Sequence, residues 1–394
     1  MADDIVITGL GVISPIGSGE SAFWESLTQG RSGAAEVDCL DTSNLSRHVA
    51  CQVKAPIDVG KQMGRASALA VAASRQAMAS AGLDTPFGED ARVAIIVGTT
   101  MGETEFIEER LDVPAEDWLS EEHMKRIAAG SPGSIAGGVQ EDLGARGPAI
   151  DLYGACAAGN LAIASARRRL LDGDCDIALA GGADGFSRLA FIGFMRLRVM
   201  AAEVCRPFDE ERDGLLVGEG AAMFTLERES TARARGSAIR ARVVGASLTC
   251  EDYHPTRPHP DGDGLSRATA AALRDAGLAA ADIDYVCAHG TGTPQNDAIE
   301  AKVMHACFPG GVSFSSIKAL TGHTMGAAAA MEAACCVLSL ERQTLVPTWN
   351  LRTLLQPCSL DAVIDRPRPA QVRLVLNNSA GFGGYNSSVI FAAA

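Results

Sequence analysis

Short apolar runs and longer alanine-rich stretches alternate along the first part of the chain. Residues 5–11 (IVITGLG) and 93–98 (VAIIVG) are typical of buried strands, and both end in glycine. Between them, residues 65–81 have the pattern of a helix that stops at Gly82. The more charged residues 103–130 are expected to form an excursion over the surface. This order of elements predicts an α/β layered sheet.

The same order of elements recurs in the second part of the chain. Residues 239–247 resemble the opening strand, residues 266–276 the alanine-rich helix, and residues 283–290 the second strand. Each part continues through a strand-to-helix turn, with Cys156 in the first and His323 in the second, and ends on two strands around a glycine-rich turn. Because identity between the parts is low, the recurrence predicts a structural duplication with coincidence as the alternative.

Three residues with reactive side chains follow predicted strands. Ligands of open α/β sheets bind at the carboxyl ends of strands, which is where Cys156, His289 and His323 all fall. If the two halves stack face to face, their strand-to-helix turns deliver these side chains to one place. The sequence therefore predicts a single site built from both halves.

Composition narrows the class of protein. The chain has 394 residues, 47% hydrophobic and 21% charged, which excludes disorder. Its formal charge of −14 argues against nucleic acid or an anionic membrane as the main partner. Eleven cysteines without a CxxC motif favour reduced, mostly buried thiols.

The sequence shows neither a secretory leader pattern nor a membrane-spanning pattern, so a cytoplasmic protein is expected. The opening MADDIVITGL lacks the basic and apolar regions of a secretory leader. The most apolar stretch, residues 326–340, is shorter than the roughly 20 residues that a spanning helix needs, and Glu332 interrupts it.

Cys156 lies between small residues in YGACAAGN, directly before a helical run. The positive end of a helix dipole favours a thiolate, so a lowered pKa is expected for this thiol. Small neighbours would also let a substrate approach the sulfur. The alternative is a buried structural cysteine. From Cys156 alone, without other catalytic side chains, neither interpretation is favoured.

Two histidines and a rare lysine favour a catalytic role for Cys156. His289 begins HGTGT directly after a strand, and His323 lies in KALTGHTMG before an alanine-rich helix. Lys318 is one of only five lysines in the chain. The turn GFGGYN around Phe382 would offer backbone N–H groups to an oxyanion, although a glycine-rich turn alone is a weak signal. No HExxH or paired CxxC exists, so no metal site is expected.

Taken together, these motifs resemble a known family along nearly the whole chain. ACAAG, RPFDEERDG, HGTGTPQND, KALTGHTMGAA and NSAGFGGYN, in this order, resemble the β-ketoacyl-[acyl-carrier-protein] synthases of the elongating type, which include type II polyketide ketosynthases. The resemblance implies the thiolase fold, a five-layered α-β-α-β-α sandwich of two duplicated βαβαβαββ halves. The halves would be residues 1–237, with the nucleophile, and residues 238–394, with both histidines. The chain would form a homodimer, or a heterodimer with a related ketosynthase-like subunit.

The resemblance also implies a reaction. Cys156 would take an acyl chain from the phosphopantetheine of an acyl carrier protein as a thioester. His289 and His323 would then stabilise the enolate that forms when malonyl-carrier protein loses CO2, and the enolate would attack the acyl group. No metal or organic cofactor would be needed, since the phosphopantetheine arrives on the substrate.

Further roles carry over to matching positions. Lys318 and Glu300 match a structural ion pair, and Asp297 would support their network. Thr291 and Thr293 match phosphopantetheine contacts. The backbone N–H groups of Cys156 and Phe382 would form the oxyanion hole. Phe382 also matches a gating phenylalanine, and Met101 falls at the acyl pocket.

The third catalytic group sharpens the reaction class. Thiolases carry a second cysteine in the C-terminal glycine-rich turn, whereas this turn has none, and His323 stands where initiating synthases have asparagine. Cys-His-His therefore points to decarboxylating elongation. The alternative is a catalytically silent chain-length factor, but such a subunit would lack the nucleophile Cys156. Family members commonly have NSFGFGGTN, so Ala380 and Tyr385 are departures beside the acyl tunnel, and a polyketide or polyene pathway rivals fatty-acid synthesis.

An acidic carrier protein would need a basic patch on this acidic chain. The candidates for carrier docking are Lys61, Arg65, Lys125, Arg126 and Arg206.

Overall fold

The computed structural model describes residues 3–57, 59, 63–88, 91–111, 113–356 and 360–394. The strands are β1 (Ile5–Ser14), β2 (Gly17–Ser18), β3 (Ala34–Glu36), β4 (Val49–Cys51), β5 (Val93–Thr99), β6 (Ala149–Tyr153), β7 (Ile177–Asp184), β8 (Gly220–Arg228), β9 (Ala241–Cys250), β10 (Tyr285–Cys287), β11 (Ser313–Ser315), β12 (Thr344–Leu345), β13 (Asp361–Ala362), β14 (Arg368–Pro369), β15 (Leu374–Ala380) and β16 (Tyr385–Ala393). The helices are α1 (Glu20–Gln29), α2 (Arg65–Ser80), α3 (Thr104–Leu111), α4 (Glu121–Ala129), α5 (Ser134–Leu143), α6 (Ala158–Asp172), α7 (Arg188–Arg196), α8 (Glu229–Ala234), α9 (Asp263–Ala276), α10 (Pro294–Cys307), α11 (Lys318–Thr321) and α12 (Ala328–Arg342). Short 3₁₀ turns lie at Ala115–Asp117, Ala155–Ala157, Ala280–Asp282, Met325–Ala327 and Phe382–Gly384.

The main strands form two matching five-stranded arrangements. One has the order β6-β5-β7-β8-β1, and the other has the order β11-β10-β15-β16-β9. In each, the first three strands are parallel, and the remaining two join antiparallel. Each arrangement follows from the chain order βαβαβαββ. The duplication predicted from the sequence is therefore confirmed.

The two halves meet edge to edge. β1 and β9 pair antiparallel, with Val6 opposite Arg242 and Ile7 opposite Ala241. The chain crosses between the halves after α8 and before β9. The boundary between residues 237 and 238 stays a prediction within this crossing.

Five layers result from the way the helices cover the strands. α6 packs on β5 and β7, α12 packs on β15, and these two helices contact each other in the middle. α2 covers β1 and β8 on one outer side, and α9 covers β9 and β16 on the other. The central helices approach closely, because a Cβ at Gly159 would lie 2.6 Å from the backbone nitrogen of Ala330. The fold is the predicted α-β-α-β-α sandwich.

The sequence of α12 explains its central place. Every side chain from Ala328 to Leu340 is buried, as expected for a helix that is apolar on all sides. Buried amides also bridge the halves across this layer. Asn377 donates from Nδ2 to Oδ1 of Asn160 at 2.9 Å, and Asn160 donates from Nδ2 to the carbonyl oxygen of Asn377 at 3.3 Å. Each half thus satisfies polar groups of the other.

Element boundaries differ from the sequence predictions in a few places. The surface excursion contains α3 and α4, and the hydroxyl of Ser120 caps α4 by accepting from the N–H of His123. The strand expected at residues 283–290 is shorter in the structure, where only Tyr285–Cys287 form β10. The residues directly after it, including His289, belong to the site. Ten described cysteines are free. Within the described ranges, no helix combines the length and apolar character needed to cross a membrane.

Candidate active site

The fold brings Cys156, His289 and His323 together. Cys156 lies in the 3₁₀ turn between β6 and α6, His289 follows β10, and His323 lies between α11 and α12. One ligating atom from each side chain lies within 4.8 Å of the others, and the exposed fractions are 6%, 1% and 2%. The two imidazole rings are nearly perpendicular, with centroids 5.3 Å apart. The predicted convergence of the two halves on one place is confirmed.

Cys156 has a counterpart in the second half. The 3₁₀ turns Ala155–Ala157 and Met325–Ala327 each precede a central helix, and each begins with a non-glycine residue at positive φ, 47° at Ala155 and 53° at Met325. Gly326 therefore occupies the place of the nucleophile in the second turn. Such backbone conformations are costly and concentrate at functional sites.

Hydrogen bonds fix the tautomers of both histidines. Nδ1 of His289 lies 3.2 Å from the ammonium of Lys318, and Nδ1 of His323 accepts from the N–H of Met325 at 3.2 Å. Because a cation or an N–H can only donate, both Nδ1 atoms are acceptors and both Nε2 atoms carry the hydrogen. Burial, followed by the charge of Lys318, lowers the pKa of both imidazoles well below the usual range. The site therefore presents two neutral Nε2–H donors.

These tautomers also bear on metal binding. A thiolate with two imidazoles is a donor set that suits zinc. A ring nitrogen that carries hydrogen cannot ligate, and the ammonium of Lys318 holds Nδ1 of His289 as an acceptor. The donor set is therefore arranged for hydrogen bonding to an anionic oxygen and does not fit a cation.

The sequence prediction for the ion pair of Lys318 named the wrong carboxylate. Lys318 pairs with Glu332 of α12, and both side chains are 1% exposed. Glu300 instead accepts from the backbone N–H groups of His289 and Gly290, both at 2.7 Å. Two backbone donors already hold Glu300, whereas Glu332 reaches Lys318 from the buried helix. Glu332 is the only charge in residues 326–340, which was a sequence signal for this role.

The loop after His289 is held by Asp297. Its carboxylate accepts from the N–H groups of Thr291 at 2.9 Å, Gly292 at 3.1 Å and Phe208 at 2.7 Å. The hydroxyls of Thr291 and Thr293 are 2.8 Å apart, and both residues line the cavity that leads to Cys156. Their role as phosphopantetheine contacts stays a prediction.

The expected lowering of the pKa of Cys156 was wrong. Burial raises the pKa of its thiol to about 12, although the ammonium of Lys318 and a hydrogen bond from the N–H of Phe382 act in the opposite direction. A short 3₁₀ turn before α6 does not outweigh the loss of hydration around the sulfur. The resting nucleophile is a neutral thiol. The approach of the Phe382 N–H to the sulfur agrees with its predicted place in the oxyanion hole.

The raised pKa predicts how Cys156 responds to pH. The rate of its alkylation by iodoacetamide should rise about tenfold per pH unit from about pH 7 to about pH 9, because the thiolate fraction grows tenfold per unit below the pKa. Peptide mass spectrometry after timed quenching measures the modification, and Cys156→Ser identifies the background. A plateau within this range would show that the thiol ionises near neutral pH.

A cavity of about 410 Å³ connects Cys156 with the surface. Its inner wall includes Phe194, Leu215 and Ala380, and the rings of Phe194 and Phe382 contact each other with centroids 5.5 Å apart. Met101 is absent from the described lining and packs in a cluster with Leu215 behind it, so its assignment to the acyl pocket stays a prediction.

Another contact at the site was missed by sequence reasoning. The hydroxyl of Ser379 donates to the carbonyl oxygen of Cys156 at 3.0 Å and lies 3.4 Å from Nδ1 of His289. Serine in a strand gives no sequence signal for such a contact.

Most of the predicted docking residues are occupied in ion pairs. Arg65 pairs with the buried Glu219 at 2.8 Å, and its side chain is 33% exposed, so its docking role stays a prediction. The other described candidates also face carboxylates, namely Lys125 with Glu121 at 2.7 Å, Arg126 with Glu109 at 2.5 Å and Arg206 with Glu211 at 3.8 Å. Lys61 lies outside the described residues.

Two exposed arginines line the mouth of the cavity instead. Arg198 follows α7, and Arg257 lies in the loop after β9. Both residues are exposed, and neither forms an ion pair among the described residues. Nothing in the sequence distinguished them from the chain's other arginines.

Comparisons with known proteins agree with this geometry. Models described as the β-ketoacyl synthase N-terminal and C-terminal domains match residues 2–232 and 240–352. The 3-oxoacyl-[acyl-carrier-protein] synthase 2 of Staphylococcus aureus (strain COL) is 34% identical over 98% of this chain and 97% of its own. The solved ishigamide ketosynthase/chain length factor matches with a TM-score of 0.94 and 37% identity, covering 100% of both chains.

A second solved structure widens the comparison to a carrier complex. It contains a type II polyketide acyl-carrier protein with its ketosynthase bound to the hexaketide, and it matches with a TM-score of 0.92 and 27% identity over 100% of both chains. With family models that match most of its length and a relative above 30% identity, the chain belongs to the β-ketoacyl synthase family of acyltransferases.

Proposed function

We propose that this protein catalyses a decarboxylative Claisen condensation between an acyl group on Cys156 and malonyl-acyl-carrier protein. One observation carries the proposal: a buried thiol and two neutral imidazoles line the same cavity, with the sulfur and one ring nitrogen of each histidine within 4.8 Å of one another. The thiol supplies a covalent acceptor, and the imidazoles supply donors for a developing oxyanion.

In the first step, the sulfur of Cys156 attacks the carbonyl carbon of the acyl-carrier thioester. The N–H groups of Cys156 and Phe382 stabilise the oxyanion, the C–S bond to the carrier breaks, and the departing thiolate receives the thiol proton. The acyl group is then a thioester of Cys156, and the free carrier leaves.

In the second step, malonyl-carrier protein enters the same cavity. Nε2–H of His289 and Nε2–H of His323 donate to its thioester oxygen, which stabilises the enolate formed when the carboxylate leaves as CO2. The enolate carbon attacks the acyl carbonyl, the bond to Cys156 breaks, and the released thiolate takes a proton from solvent. The product is β-ketoacyl-carrier protein.

The loading step offers a direct test. Incubation with an acyl-carrier protein should add the mass of the acyl group to the peptide that contains Cys156, as measured by intact and peptide mass spectrometry. Cys156→Ser should abolish the thioester, while Cys335→Ser, a second buried cysteine, should load as the wild type does. A folded protein that acquires no acyl mass would support the alternative, a catalytically silent chain-length-factor-like subunit.

The pathway and the setting are part of the proposal. We infer fatty-acid or type II polyketide synthesis, since the similar proteins include a 3-oxoacyl-[acyl-carrier-protein] synthase 2 and a type II polyketide ketosynthase. A cytoplasmic location is supported by the free cysteines. The reaction as derived uses no metal or organic cofactor, because each step needs only the thiol and hydrogen-bond donors of this chain.

Carrier protein docking is proposed for the mouth of the cavity. Arg198 and Arg257 are exposed there and would attract an acidic carrier. The double substitution Arg198→Glu with Arg257→Glu should raise the KM for acyl-carrier protein at least about tenfold, a change of about 1.4 kcal/mol, with kcat nearly unchanged. Arg168→Glu on α6, where the side chain is 75% exposed, is the matched control. An equal effect of the control would contradict docking at the mouth.

A dimer is proposed through β6. This strand ends the order of the main sheet, and its Tyr153 is 49% exposed, so an edge is open to a second subunit. The partner would be an identical chain or a related ketosynthase-like subunit, as in the solved ketosynthase/chain length factor. Light scattering of the chain alone distinguishes these cases, since a monomer would favour the heterodimer.

A further inference from the structure

Asp184 is a fully buried carboxylate that the reaction steps above do not use. It ends β7 and is 0% exposed. It accepts from the hydroxyl of Thr99 at 2.6 Å and from the N–H groups of Thr100 at 2.8 Å and Met101 at 2.9 Å, all at the end of β5. Its fourth donor, the N–H of Gly326 at 2.6 Å, comes from the other half of the chain.

The turn that Asp184 holds determines the tautomer of His323. Met325 precedes Gly326, has a φ of 53°, and donates its N–H to Nδ1 of His323. The backbone of His323 is held separately, since its N–H donates to Leu216 and its carbonyl accepts from Gly218. A disturbed turn would thus leave His323 in place but remove the donor that keeps hydrogen on Nε2.

The conformation of the turn at Met325 and Gly326 is not stable without contacts to the surrounding protein. A left-handed conformation at Met325 costs free energy and persists only where the surroundings enforce it. Gly326 packs against the end of β5, where an added Cβ would lie 2.6 Å from the nitrogen of Thr100. The carboxylate of Asp184 is the polar group that joins these two segments, because one of its oxygens accepts from both Thr100 and Gly326.

We propose that Asp184 is a positioning residue for the decarboxylation step. It holds the turn at Met325 and Gly326, and this turn keeps Nε2 of His323 as the donor to the malonyl thioester oxygen. The inference rests on the proposed role of His323, so its test contains an arm that examines that role separately.

Two substitutions of Asp184 test the proposal. Asp184→Asn keeps the volume but places an NH2 group against two of the four donors, and Asp184→Ala removes the carboxylate. CO2 release from malonyl-carrier protein should fall about 10²-fold in both variants, because the loss of one donor to a developing oxyanion has an effect of this size. Acyl loading of Cys156 should stay within about twofold of the wild type, and formate should restore part of the CO2 release of Asp184→Ala.

The control is Glu103→Gln. Glu103, directly before α3, is also a buried carboxylate that accepts from backbone N–H groups, but these belong to Ala66 and Ser67 at the start of α2 and not to the histidine turn. It should lower loading and CO2 release in parallel if it lowers them at all. Equal losses of both steps in the Asp184 variants, or an unchanged CO2 release, would overturn the inference.

A parallel experiment with His323→Ala distinguishes failure of the proposed role of His323 from failure of the inference about Asp184. If this variant releases CO2 at the wild-type rate, the role of His323 fails and the inference fails with it. If His323→Ala loses CO2 release while both Asp184 variants retain it, only the inference about Asp184 fails. Should Asp184→Ala not fold, Asp184→Asn alone decides the outcome by its ratio of loading to CO2 release.

Discussion

Replacing Gly381 with aspartate should lower the rate of condensation about 10²- to 10³-fold, the loss expected when an oxyanion hole is disabled. Gly381 occupies the position in the second half that Asp184 occupies in the first half. Asp184 pairs with Gly220, the first residue of β8, and the N–H of Gly381 donates to Tyr385, the first residue of β16. Asp184 accepts from the N–H of Gly326 in the 3₁₀ turn Met325–Ala327. An aspartate at position 381 would accept in the same way from the N–H of Cys156.

The geometry at Gly381 supports this expectation. Its φ is −122°, which any residue adopts, and a Cβ there would lie 3.1 Å from the nitrogen of Cys156. The added carboxylate would occupy the position of the oxyanion and would also oppose formation of the thiolate of Cys156.

Gly381→Ala is the matched control for crowding. It adds the same Cβ without a carboxylate and should reduce condensation far less than Gly381→Asp. The rate of β-ketoacyl-carrier protein formation, followed by mass spectrometry, measures both variants. If alanine reduces the rate as much as aspartate does, crowding explains the loss, and the equivalence of the two anion-binding turns is wrong.

His323→Ala should separate the two half-reactions. Loss of one of the two Nε2–H donors is expected to lower CO2 release from malonyl-carrier protein about 10²- to 10³-fold. Loading of Cys156 should persist, because the N–H groups of Cys156 and Phe382 serve that step. Radiolabelled CO2 and the acyl mass on Cys156 are measured on the same sample.

The exposed His48 provides a control for the loss of a histidine. His48→Ala should match the wild type in both half-reactions. Equal loss of loading and decarboxylation in His323→Ala, with His48→Ala unaffected, would contradict the division of roles between the oxyanion hole and the histidines.

Much of the fold and the catalytic centre could be predicted because their signals are local. Strand and helix patterns recur in the same order in both halves, and Cys156, His289 and His323 each follow a strand. The structure adds that both Nδ1 atoms are acceptors, which depends on Lys318 and on the backbone of Met325. No residue pattern encodes such a contact.

The errors came from forces that depend on burial and on distant neighbours. The pKa of Cys156 follows from its surroundings in the folded protein, where lost hydration outweighs the helix start. Lys318 pairs with Glu332, which α12 places opposite it. The pairing of Arg65 with Glu219, far away in sequence, was not predicted either, and a role of Arg65 in docking a carrier protein stays a prediction.

The matching turns make the two halves of the chain unequal partners. The first half keeps a thiol at the second position of its turn, whereas the second half has Gly326 there and supplies both imidazoles. Two first halves joined together would hold two nucleophiles without their donors, and two second halves would hold donors without a nucleophile. The hydrogen bonds between Asn160 and Asn377 therefore join complements, so neither copy can be exchanged for the other or work as a smaller enzyme.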